Sequence, residues 1–249
     1  MRGRYPSLSD VSYSFGPGKL TPAVKAIMIA NVAVFVLTFF ARNDIIRLLG
    51  LKPAALFSDF AIWQLVTYMF VHASVSHIFF NMLTLWFVGV ELERTWGTRY
   101  FTKYYFACGI GAGLTQVFLG ILPFAFANQF FNPSTVGASG AIFGLLMAFA
   151  LYFPTRTFLV FFVFPVQARY FVMILGAMSL LFSLGGGSGI AHTAHLGGLL
   201  SGYLYLKGKR LNVISEIQYR YLKWRINRMR KKFDVYSGGR RDDYDRRVH

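Results

Sequence analysis

The chain has 249 residues, of which 55% are hydrophobic and only 14% charged, with a formal net charge of +16. A soluble domain usually carries about 25% charged residues, so the composition argues against a water-soluble globule and for a membrane protein. The placement of the charge argues against a nucleic-acid partner: Lys207–His249 holds 14 Lys/Arg against five acidic residues, whereas Tyr104–Thr155 holds no charge at all. That is a bilayer pattern with a basic cytoplasmic end.

The length suits one bundle of about six spans of ~20 residues each, and six apolar runs are found. The first is Pro22–Phe40, read as a retained span rather than a cleaved signal because no small-residue cleavage site follows it. Residues 41–74 are long and greasy for an aqueous loop, and an element lying in the outer interface is expected there. The remaining spans are placed at Val75–Trp96, Tyr100–Leu119, Ser139–Phe153, Tyr170–Leu184 and Ile190–Leu206. The last three are shorter than ~20 residues and need internal surroundings or a thinned bilayer. Between the fourth and fifth, Thr157–Gln167 is read as an interfacial loop that keeps Arg169 at the cytoplasmic edge, since a central arginine costs at least ~2.5–3.5 kcal/mol. A seventh span centred near Phe162 is the alternative.

With the N-terminus inside, the inner segments carry 23 Lys/Arg and the outer segments three, a positive-inside bias. The expected organisation is therefore an all-α, six-transmembrane-helix bundle with both termini cytoplasmic. Residues 1–21 form an N-terminal segment, 22–206 the membrane domain and 207–249 a basic tail. In that tail, Val213–Phe233 has apolar residues at helical spacing among basic ones, as expected of an amphipathic helix drawn to anionic lipid.

Polar residues inside the apolar runs carry the chemistry. Ser139, in "TVGASGAIFGLL", heads the fourth span, and its ordinary explanation is a helix N-cap. His195, in "AHTAHLGGLLSGY", is expected at the same outer depth. Gly140/Gly144 and Gly198/Gly202 are small-xxx-small pairs that let the two helices approach closely. His195 lies on the glycine stripe of its helix, while Ser139 falls ~100° off its own and must lean over the edge of the contact. No Asp or Glu occurs between Arg94 and Glu216, so a triad is not expected. A Ser–His dyad would need its imidazole oriented by packing, by a ring or by a hydroxyl. His77 and Asn81, at i and i+4 in "HIFFN", are either a polar pair tying helices together or donors to an oxyanion; the Ser139 N–H is a further donor.

The ordered set "HIFFNM", "GASGAIFG" and "AHLGG", together with "ELERTWG" and its Glu93 and Gly97, resembles the rhomboid family of intramembrane serine proteases from about Pro22 to Leu206. The resemblance implies Ser139 as nucleophile, His195 as base, and His77, Asn81 and the Ser139 N–H around the oxyanion. It also implies that Gly137 lies in the loop facing the site, and that the substrates are transmembrane segments of other proteins. A bacterial plasma membrane is the expected location. An inactive rhomboid-like binding or quality-control protein is the alternative. No cofactor or metal is expected: there is a single cysteine, and His192 and His195 form only an i, i+3 pair without H-E-x-x-H. A transporter would place ionisable groups deeper in the bundle.

Overall fold

The computed structural model describes residues 16–123, 127–160, 163–184, 189–211 and 221–228. They divide into two units, with the boundary after Leu206. Most of the tail, including the ends of the amphipathic segment expected at 213–233, lies outside the described residues. Its described part, 221–228, is helical, with Leu222, Trp224 and Ile226 exposed beside basic side chains.

The first unit is mostly helical. Helix α1 (Pro22–Leu49) begins with proline at its first turn, where a missing N–H costs nothing. Its N-terminus is capped from far along the chain by Glu93. This carboxylate accepts the N–H groups of Ala23 and Val24, both at 2.9 Å, and the hydroxyls of Thr21 at 2.5 Å and Thr98 at 2.7 Å. An anion at a helix N-terminus satisfies orphan donors and the dipole together. Replacing Glu93 by alanine strands these buried donors, and a loss of about 2–4 kcal/mol is expected, read as a lower thermal midpoint in detergent.

At Ala41 the backbone leaves helical geometry (φ −145°, ψ 52°). The helix turns there and continues to Leu49. Two short helices, α2 (Pro53–Ser58) and α3 (Gln64–Thr67), follow, then a 3-10 turn at Tyr68–Phe70. They are tied to the end of α1 by Gln64, which donates to the Arg47 carbonyl and accepts the Lys52 N–H, and by Trp63, which donates to the Leu48 carbonyl. Phe57, Phe60 and Ile62 project from this segment, exposed.

The run at 75–96 comprises α4 (Val75–Thr84), a π-helical turn at Leu85–Gly89 and α5 (Val90–Trp96). Ser74 caps it by accepting the His77 N–H. Gly97, at φ +78°, makes the break that only glycine takes without strain. It separates α5 from α6 (Thr98–Gly120). By length and composition, α1 and the 75–96 run are long and apolar enough to cross a membrane.

After the single turn α7 (Asn128–Phe131), the chain from 132 to 138 is pinned to the segment that holds α2 and α3. Leu51 and Thr135 exchange both backbone hydrogen bonds, and the Gly137 N–H donates to the Tyr68 carbonyl. Helix α8 (Ser139–Tyr152) then packs on α6.

The segment expected to be an interfacial loop instead holds the one strand pair among the described residues of an otherwise helical unit. Strands β1 (Thr157–Val160) and β2 (Phe164–Gln167) pair as an antiparallel hairpin. Thr, Val and Phe favour this pleated geometry, and Pro165 is tolerated because a two-stranded ribbon has only edges. Helix α9 (Ala168–Leu184) starts immediately afterwards, so Arg169 lies in its first turn. Helix α10 (Gly189–Leu211) completes the unit.

Glycine sets the distance between α8 and α10. A Cβ at Gly198 would overlap the Gly140 carbonyl oxygen, and one at Gly202 would sit 3.0 Å from the Gly144 Cα. On the other side of α8, Gly144 lies against Cys108 of α6. The contact is sealed by the Tyr104 hydroxyl, which donates to the Gly144 carbonyl at 2.8 Å.

Candidate active site

Ser139 occupies the first residue of α8, with Ala138 at the cap position. Its hydroxyl does not cap the helix. It lies 2.9 Å from Nε2 of His195 on α10. The backbone approach at Gly140/Gly198 explains how so short a side chain spans two helices, and the first-turn position lets it lean over the edge of the glycine contact.

The imidazole of His195 is held by a ring that the sequence alone did not single out. Phe143 stacks on it with centroids 4.1 Å apart and planes 7° from parallel. Phe143 is four residues after Ser139, so the two share one face of α8; that spacing was the available signal. The His192 ring lies 5.7 Å from it, nearly perpendicular. Phe143→Ala is expected to free the imidazole and slow the reaction of Ser139 with a fluorophosphonate roughly tenfold, with Phe143→Tyr close to wild type.

His77 reaches the same place from α4. A Cβ at Gly137 would lie 2.7 Å from both Nε2 and Cε1 of His77, and Gly137 sits at φ +122°. Glycine is therefore required twice over, by conformation and by space. The other ring nitrogen, Nδ1, accepts the Ala73 N–H at 3.5 Å. The amide nitrogen of Asn81 donates to the His77 carbonyl at 2.8 Å, so one of its two N–H bonds is used within its own helix and one remains for the cleft.

His72 lies in the loop ahead of α4, buried, with its ring 4.9 Å from that of His77. Burial first, then the neighbouring His77, lowers its pKa to about 4, and it stays a neutral imidazole.

Ser139, His195, His77 and Asn81 line a single cleft of about 360 Å³, with Phe143, Phe80 and Thr84 among its walls. Thr84 and Leu146 also border a second cleft of about 530 Å³, where Arg156 of the segment before β1 pairs with Glu91 at 3.1 Å. Among the described residues, no group of three or more His, Cys, Asp or Glu is arranged to hold a metal ion.

A serine hydroxyl in hydrogen-bond reach of an imidazole packed under a stacked ring, beside a second imidazole and a helix N-terminus, is an arrangement in which a hydroxyl can pass its proton to a base with N–H donors close by. It sits on helices of a multi-pass membrane fold. The rhomboid domain family model matches residues 59–209, more than half of the chain, and the chain belongs to this family. It is 31% identical over 155 residues to rhomboid protease GluP of Bacillus subtilis, covering 62% of this chain and 27% of that protein. It is 28% identical over 218 residues to rhomboid-like protein 1 of Arabidopsis thaliana, covering 73% and 51%. Rhomboid-like protease 1 of Toxoplasma gondii is 33% identical over 160 residues, covering 61% and 49%. The chain thus spans between about a quarter and half of the length of these relatives.

Proposed function

We propose that the protein is an intramembrane serine endopeptidase that cleaves transmembrane segments of other membrane proteins with a Ser139–His195 dyad. The observation that carries this reading is the 2.9 Å approach of Ser139 Oγ to His195 Nε2 under the Phe143 ring. Ser139 attacks the scissile carbonyl while His195 takes its proton and then delivers it to the leaving amine. The oxyanion is held by the Ser139 N–H, His77 and Asn81, with Gly137 leaving room for the His77 ring. Water then releases the acyl group.

The chain crosses the bilayer six times, on α1, the 75–96 run, α6, α8, α9 and α10, with both termini in the cytoplasm and residues 22–206 as the membrane domain. The 23-to-three distribution of Lys/Arg supports this orientation. Helix α8 has 14 residues and is about 21 Å long, against a hydrocarbon core of about 30 Å. With its inner end at the cytoplasmic interface, Ser139 lies roughly 9 Å below the outer one. The nucleophile is thus sunk in the membrane yet reachable by water through the cleft.

A substrate helix must unwind locally to expose a carbonyl, because helical hydrogen bonds bury it. Segments with small or helix-breaking residues at the cut are the preferred substrates. The basic tail, with Leu222, Trp224 and Ile226 exposed on a helical turn, holds anionic lipid at the inner leaflet. We assign the protein to a bacterial plasma membrane, and membrane fractionation tests that assignment.

The test of function is cleavage of a transmembrane reporter reconstituted in liposomes with the purified protein. Cleavage by the wild type, and none by Ser139→Ala, is expected. Wild-type protein that binds the reporter without ever cutting it would instead favour an inactive rhomboid-like binding protein.

A further inference from the structure

We infer that Arg42 is a positioning residue that holds the His77 imidazole ready to donate its Nε2 proton, acting through the backbone of Ala73; the inference rests on the oxyanion role proposed for His77. Arg42 follows directly on the break in α1 at Ala41. Its guanidinium donates to the Ala73 carbonyl at 2.9 Å. A charge-assisted hydrogen bond of this kind is roughly twice as strong as a neutral one. The arginine further along the same helix, Arg47, pairs with Asp44 instead, at 3.3 Å.

Ala73 is therefore held at both of its polar ends. Its carbonyl is fixed by Arg42, and its N–H points at Nδ1 of His77 at 3.5 Å. An imidazole whose Nδ1 accepts carries its proton on Nε2. Nε2 is the nitrogen beside Gly137, on the side of Ser139. Only that tautomer donates a hydrogen bond from the neutral ring into the space where an oxyanion develops. A loop free to rotate Ala73 would let the proton settle on Nδ1 and leave Nε2 as an acceptor, which repels the oxyanion.

The remaining bonds to this loop do not fix the tautomer. The His77 N–H goes to the Ser74 hydroxyl at 3.2 Å, and the His77 carbonyl accepts from Asn81. Both hold the backbone of α4, not the imidazole. His72 packs its ring against His77 and limits tilt; as a neutral ring in edge contact it sets no proton position.

The purified protein in liposomes with a transmembrane reporter provides the test. Arg42→Ala is expected to lower kcat roughly tenfold with KM within about twofold, a fraction of the roughly hundredfold loss expected for His77→Ala. Arg42→Lys, which keeps a charged donor, recovers most of the loss, and the thermal midpoint of Arg42→Ala stays at the wild-type value. In a His77→Ala background, adding Arg42→Ala costs nothing further, because the group it positions is gone. An unchanged kcat for Arg42→Ala overturns the inference. So does an equal additional loss in the His77→Ala background, or a loss that tracks a lower thermal midpoint and is not recovered by lysine. An unchanged kcat for His77→Ala overturns the oxyanion role itself, and the two failures are thereby told apart.

Discussion

Ser139→Ala is expected to lower turnover of a transmembrane substrate by at least about 10⁴-fold, His195→Ala by a similar factor, and the double variant by no more than either alone. The reason is that hydroxyl and imidazole, 2.9 Å apart, form one device. An alcohol is a poor nucleophile until its proton has somewhere to go, and an imidazole without the hydroxyl has nothing to deprotonate. Groups that act as a unit are non-additive when removed together. No carboxylate occurs in the sequence between Arg94 and Glu216 to orient His195. Orientation therefore falls to the Phe143 stack, and the smaller loss expected at Phe143 reflects a ring that tilts but remains present. Steady-state rates for the four proteins decide the matter: a double variant slower than both singles by the product of their factors would mean that the two residues act separately.

The second large effect is structural. Gly198→Ala is expected to destabilise the protein by about 3 kcal/mol or more, at or beyond the top of the usual range for overpacking, and to lower the thermal midpoint by roughly 6–12 °C. The added methyl would meet the Gly140 carbonyl oxygen, which is backbone and cannot rotate aside. The helices must separate, and separation lengthens the Ser139–His195 contact as well. Activity is thus expected to fall in the protein that remains folded. Gly208→Ala, on the same helix with nothing within 4 Å of the new atom, is the matched control and should leave both quantities unchanged.

These two expectations mark what the amino-acid sequence discloses and what it does not. Apolar runs between charged segments locate the long helices, because burial in lipid demands about 20 residues without charge. The helix at 139–152 could be read from the polar, glycine-containing stretch that precedes it and the charge-free run that follows. The glycine stripes point to a close approach of α8 and α10, since small residues at i and i+4 have few other uses on apolar helices. The break at Ala41 has no such mark. No proline or glycine lies there, and the course of α1 beyond it is tied by contacts of Arg47 and Leu48 with Gln64 and Trp63. Such long-range contacts leave no local period. The hairpin at 157–167 was read as a loop because an almost continuous apolar run carries no clean alternation. Phe143 was one of several aromatic residues, and only the crossing of two helices selects it. For Glu93, the motif was visible, but its use as a cap on a helix some 70 residues earlier was not.

Reaction of the purified wild-type protein with a fluorophosphonate, followed by peptide mapping of the adduct, tests the central claim most directly. One phosphonyl group on Ser139, absent from Ser139→Ala and formed far more slowly in His195→Ala, is the result expected of a hydroxyl activated by that imidazole. An adduct on another residue, or labelling that survives Ser139→Ala undiminished, would contradict it.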